Sequence, residues 1–80
     1  MEAYKIVYGV KNDTHEVFRL KFSDAKALYF QYKKHYMSFK DMESYTEERH
    51  FKGIFKDLWS FSAVIKGIKY EVWITPIEID

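Results

Sequence analysis

Residues 44–65 read SYTEERHFKGIFKDLWSFSAVI, and the way this stretch divides decides the fold. Two periodicities compete in it. Ser44-Tyr45-Thr46-Glu47 has the form of a capping box, in which the serine oxygen and the glutamate carboxylate each accept a backbone amide at the start of a helix. Phe51, Ile54, Phe55 and Leu58 then recur at i, i+3, i+4 and i+7, which is one stripe of a helix. Against this, Phe55, Trp59, Phe61, Ala63 and Ile65 fit an alternating strand, and Gly53 inside a helix would cost about 1 kcal/mol relative to alanine. The spacing predicts a helix to about Leu58 and a strand from Trp59.

Beyond this stretch the pattern is plain. Phe61, Ala63 and Ile65 alternate up to Lys66-Gly67, and Ile68, Tyr70, Val72 and Ile74 alternate after it, so strands over 60–66 and 68–76 form a hairpin. Gly67 supplies the positive φ that a tight turn needs, and Pro76 marks a strand end or an edge. Towards the start, Tyr4, Ile6, Tyr8 and Val10 alternate with Lys5, Val7 and Gly9, predicting a strand over 3–10. Lys11 to Thr14 supply turn chemistry. A second strand over 16–22 is read with Phe18, Leu20 and Phe22 facing the same core, and Val17, Arg19 and Lys21 facing away. Ser23 and Asp24 suit a helix N-terminus, and Leu28, Tyr29, Tyr32, Tyr36 and Phe39 form an apolar stripe on a helix running to Met37. The expected architecture is α+β in the order ββααββ: a small antiparallel sheet of two hairpins with one or two helices on one face, a single domain over 1–80.

Composition narrows the function classes. Eighty residues support one core, and the absence of cysteine removes disulfides, thiolate metal sites and thiol catalysis. Seven Tyr, seven Phe and two Trp are more rings than one small core needs, and surplus rings point to an interface or to self-association. Thirteen basic residues against twelve acidic ones give no global positive field, so only a local patch would suit nucleic acid. No signal peptide and no apolar run of membrane-spanning length is read, which makes the cytoplasm the expected location and a membrane partner unexpected. Eleven lysines against two arginines, with abundant Tyr, Phe and Ile, suit an AT-rich genome such as that of a phage or a low-GC bacterium.

No sequence motif fixes a reaction. His15 lies beside the first turn, His35 flanks the apolar stripe of the helix, and His50 follows Glu47 and Glu48 without the second Glu-x-x-His that a paired metal site requires. The glycines are too dispersed to cradle a phosphate, the serines fit caps and strands, and Asp41, Glu43, Glu47 and Glu48 read as a solvated connection. The expectation is therefore no catalytic residue, no metal and no cofactor.

Two surfaces carry more information. The rear of the first helix brings together Lys26, Phe30, Lys33, Lys34 and Met37, an apolar contact with a basic rim that would suit a partner protein with an acidic surface. The outer face of the sheet is read as Lys5, Val7, Val17, Arg19, Lys21, Val64, Lys69, Glu71 and Trp73, cationic with one large ring. Of these, Lys5, Arg19, Lys21, Lys69 and Trp73 would be the nucleic-acid contacts. The leading function is a small non-enzymatic partner-binding protein, an inhibitor or adaptor encoded by a phage or mobile element. The alternatives are a nucleic-acid module using the sheet face and a small enzyme or metal protein.

Overall fold

The computed structural model describes residues 2–10, 12–52 and 55–78, with side chains described at 3–10, 12–48 and 59–78. The chain runs β1 (Glu2–Val10), β2 (Asp13–Arg19), α1 (Phe22–Met37), β3 (Met42–Lys52), β4 (Phe55–Ile65) and β5 (Ile68–Glu78). All strand pairs are antiparallel, in the spatial order β2-β1-β5-β4-β3, and α1 packs across one face, mainly on β1 and β5. The class is α+β, with one helix and five strands among the described residues. No helix among the described residues is long and apolar enough to cross a membrane.

The expected second helix over 45–58 is strand instead. Its capping-box residues Ser44 to Glu47 lie in β3, where Tyr45 pairs with Ala63 and Glu47 with Phe61. Pairing gives the chain more than a helix there would. β3 supplies β4 with a neighbour and so takes up backbone groups that a helix would have left at an open edge. Gly53 and Ile54 lie outside the described residues, as do the side chains of Phe51, Phe55 and Leu58 that suggested the helix.

The two tight hairpins set which face each strand buries. Lys66 at φ 53° and Gly67 at φ 77° both take positive φ, the geometry of a type I′ turn, and place Ile65 opposite Ile68, Ala63 opposite Tyr70 and Phe61 opposite Val72. Those residues face α1, as their alternation predicts. At the first hairpin Val10 pairs with Asp13, Tyr8 with His15, Ile6 with Val17 and Tyr4 with Arg19. Opposed residues share a face, so Val17 and Arg19 lie on the helix side, while Phe18, opposite Lys5, lies on the outer side. The expected inward orientation of Phe18 and Leu20 is thus reversed. Both are exposed, at 51% and 60%, and Phe22 reaches the core from the first turn of α1 rather than from β2.

The core joins Tyr4 and Ile6 of β1, Val72 and Ile74 of β5, and Trp59, Phe61, Ala63 and Ile65 of β4 to Ala25, Tyr29 and Tyr36 of α1. α1 starts with Lys21 as its N-cap and no side-chain cap bond, so Ser23 sits inside the first turn and is not the cap. In β3 two residues oppose one step of β4 between Met42 and Ser44, a bulge at Glu43 that lets Met42 and Tyr45 both face α1. At Pro76, β5 pairs with Tyr4 of β1, while the described ladder to β4 ends at Ile74. The missing amide of the proline therefore falls past that ladder.

Candidate functional site

Helical spacing puts Lys26, Phe30, Lys33 and Met37 along one flank of α1, and this flank overlooks β4 and the edge strand β3. Lys34 lies further round the helix and is exposed. Phe30 is not on an isolated rear face: its ring meets Trp59 edge-on at 5.5 Å and Tyr29 at 5.5 Å, leaving it 38% exposed. Lys26 Nζ lies 5.8 Å from the Trp59 ring and 5.9 Å from that of Phe22. Lys33 Nζ is 5.6 Å from the Phe61 ring and 5.8 Å from that of Phe30.

The Lys33 ammonium also donates to Glu47 Oε2 at 2.7 Å, and the Tyr29 hydroxyl donates to the same oxygen at 2.8 Å. One carboxylate on the edge strand therefore fastens β3 to the helix. Two consequences follow for the basic rim. The Lys26 and Lys33 charges are already engaged by ring faces and by Glu47, while the partly exposed apolar groups Phe30, Met37 and Tyr45 remain. Tyr45, stacked on Phe61 at 5.9 Å, and Glu47 were not among the residues expected at this surface. Their alternation with Thr46 was the available signal.

The outer sheet face does not gather the expected cations. Arg19 lies on the helix side and donates to the Phe18 carbonyl at 2.8 Å, and Lys21 is the helix N-cap. Lys5 and Lys69 do lie on the outer face, with carboxylate neighbours at Glu16 (3.9 Å) and Glu71 (3.3 Å). Trp73 lies there too, between Val7 and Ser60, and Val7 is buried although it faces away from α1. A trough of about 250 Å³ runs beside it over Thr46, Ser60, Ser62 and Glu71, with the Thr46 and Ser62 hydroxyls 2.9 Å apart.

A different concavity lies on the far flank of α1, where the helix meets the β1–β2 hairpin. This cavity of about 350 Å³ is lined by Tyr8, Tyr32, Tyr36 and Tyr70, by His15 and His35, and by Gly9, Val10 and Asp13. The Tyr8 and Tyr32 rings stack at 3.9 Å and 15°, and Tyr36 and Tyr70 tilt together at 5.4 Å and 50°. Burial, reinforced by the hydrogen bond with Tyr8, pushes the Tyr32 hydroxyl up to about 12. Burial also raises Tyr36, opposed by a hydrogen bond with the Gly9 backbone. His15, beside the first turn as its sequence position suggests, is exposed on β2 with its ring 5.4 Å from that of Tyr8. His35 packs on Phe39 at 5.2 Å, and the side chain of His50 is outside the described residues.

Compared with protein-family models, curated proteins and solved structures, the chain matches none of them, so its function has to be read from its own surfaces.

Proposed function

We propose that this chain is a non-enzymatic protein-binding module, an inhibitor or adaptor, that takes an extended segment of a partner protein along β3. The observation that carries this reading is the ledge formed by Phe30, Met37 and Tyr45, partly exposed apolar side chains beside an eleven-residue edge strand. A sheet edge presents a row of backbone donors and acceptors that an incoming strand can pair, while side chains alternating along that strand give selectivity. Here one side of an added strand would meet the ledge. The partner segment would therefore carry apolar residues on its helix-facing side, and complementarity to an acidic surface has less weight because Lys26 and Lys33 are engaged within the chain.

Nucleic acid is the weaker reading, since two of the four cations expected on the outer sheet face lie elsewhere. Chemistry is also weakly supported: the Ser38 hydroxyl donates to the His35 backbone carbonyl and not to its ring, and the Thr46 and Ser62 hydroxyls bond each other, so neither has the ring base that an activated nucleophile needs. The test is affinity capture from the native host with and without nuclease, followed by amide exchange on the recovered complex. One stoichiometric protein that survives nuclease, protects amides within Met42–Glu48, and is lost with Phe30→Asp or Tyr45→Asp is expected. Recovery that depends on nucleic acid, or protection confined to β2 and the outer face, would overturn the reading.

A further inference from the structure

We propose that the tyrosine-lined cleft between α1 and the β1–β2 hairpin binds a small organic cation bearing a trimethylammonium group. The site is separate from the β3 ledge, on the opposite flank of the helix. Four tyrosines line one cavity of about 350 Å³, and Asp13 is among the other residues that line it. The faces of aromatic rings carry negative charge density and attract cations, and cages of such rings suit quaternary ammonium groups, which are weakly hydrated and bulky.

Three features of the cleft favour that class over others. Three of its four Tyr hydroxyls are engaged locally, Tyr32 with Tyr8 and Tyr36 with the Gly9 backbone, so the lining offers ring surface more than hydrogen-bonding groups. Among the described lining residues Asp13 is the one acidic side chain and there is no Lys or Arg; Arg19, whose charge acts on Tyr32, lies outside the lining. A single carboxylate suits a monovalent organic cation and falls short of the several oxygen ligands that a hard metal ion collects.

The third feature is the edge of the cleft. Gly9 stands at φ +132°, and a Cβ there would lie 2.5 Å from the Asp13 carbonyl oxygen. A side chain there would collide with the β2 backbone, so a glycine lets the two strands of the hairpin close up at the edge of the cleft. Its volume is at the small end for ligand pockets, which run from about 300 to 1,000 Å³, and fits one compact head group better than an extended molecule.

The test is titration of the whole chain with choline and, in parallel, with 3,3-dimethylbutan-1-ol, its uncharged isostere, read by shifts of the tyrosine ring resonances. Choline is expected to bind saturably at the rings of Tyr8, Tyr32, Tyr36 and Tyr70, about tenfold tighter than the alcohol. Tyr70→Leu should weaken binding by about tenfold, and Asp13→Asn, an exposed change that leaves the fold intact, by about fivefold. Phe30→Asp should leave it unchanged, which keeps this result independent of the partner ledge. No saturable shift, equal binding of the alcohol, or full affinity in a folded Asp13→Asn variant would each overturn the proposal.

Discussion

Removing the Glu47 carboxylate should measurably loosen the edge strand, and the structure sets the size of the effect. Oε2 of Glu47 accepts from Lys33 Nζ at 2.7 Å and from the Tyr29 hydroxyl at 2.8 Å. The Lys33 and Glu47 side chains are 20% and 22% exposed, which places the pair between two regimes. Fully exposed pairs contribute about 0–1 kcal/mol, whereas breaking a buried pair costs about 3–5 kcal/mol. A coupling of about 1–1.5 kcal/mol between Lys33 and Glu47 is expected from their position between those limits.

The perturbations are Lys33→Met, Glu47→Gln and the two together, each followed by urea denaturation. Glutamine keeps an oxygen for Tyr29 but loses the charge, so Glu47→Gln isolates the ion pair. Lys33→Met retains much of the stem packing while removing the ammonium from Glu47 and from the Phe30 and Phe61 rings. The ring contribution appears in both arms that lack Lys33 and cancels from the coupling, provided the rings do not shift. A coupling below about 0.3 kcal/mol, the level at which independent sites add, would refute the reasoning. It would mean that the Lys33–Glu47 ion pair does not fasten β3 to the helix, leaving the Tyr29 hydroxyl bond to Glu47 to do so.

Two further outcomes follow from burial and from tyrosine ionisation. Ile74→Ala, at a 1% exposed position on the central strand β5, should destabilise by about 2–5 kcal/mol in urea, while Leu20→Ala, at a 60% exposed position, should stay within about 0.5 kcal/mol. Because the Tyr32 pKa is raised from 10.0 to about 12, the unfolded chain gives up that proton first as pH rises. The contribution is therefore complete below pH 10 and is lost between about 10 and 12; Tyr32→Phe should flatten the alkaline fall in stability over that window, followed by circular dichroism, and a slope unchanged from the parent chain would contradict the assignment.

The C-terminal hairpin was legible because every local indication agreed. Lys66-Gly67 suits a two-residue turn, and alternation on both sides places apolar residues opposite one another across it. The first hairpin held the same information in a less obvious form. Any two- or four-residue loop joining strands in simple register opposes an even-numbered residue with an odd-numbered one. With Tyr4, Ile6 and Tyr8 facing inward, parity therefore demands Val17 and Arg19 inward and Phe18 outward, as observed. Hydrophobicity argued for Phe18 and Leu20 instead, and register prevailed, since a strand joined by a tight turn cannot choose its face residue by residue.

The central stretch misled for another reason, and the same reason hid half of the ledge. A capping box and an i, i+3, i+4, i+7 pattern are local signals, whereas the need of β4 for a neighbour is a property of the whole sheet. Once 42–52 is read as a strand, Tyr45 and Glu47 fall on the face that meets α1, and the mixed Lys, Phe and Met flank of the helix has an explanation. Phe30 is there to flank Trp59, and Lys33 to reach Glu47. The helix half of the surface was visible in sequence because its composition was wrong for solvent. The strand half was not, because a residue such as Glu47 gains its role only from a lysine fourteen positions away. The tyrosine cleft was illegible for the same cause: Tyr8, Tyr32, Tyr36 and Tyr70 come from three elements, and each alone reads as an ordinary core-facing ring.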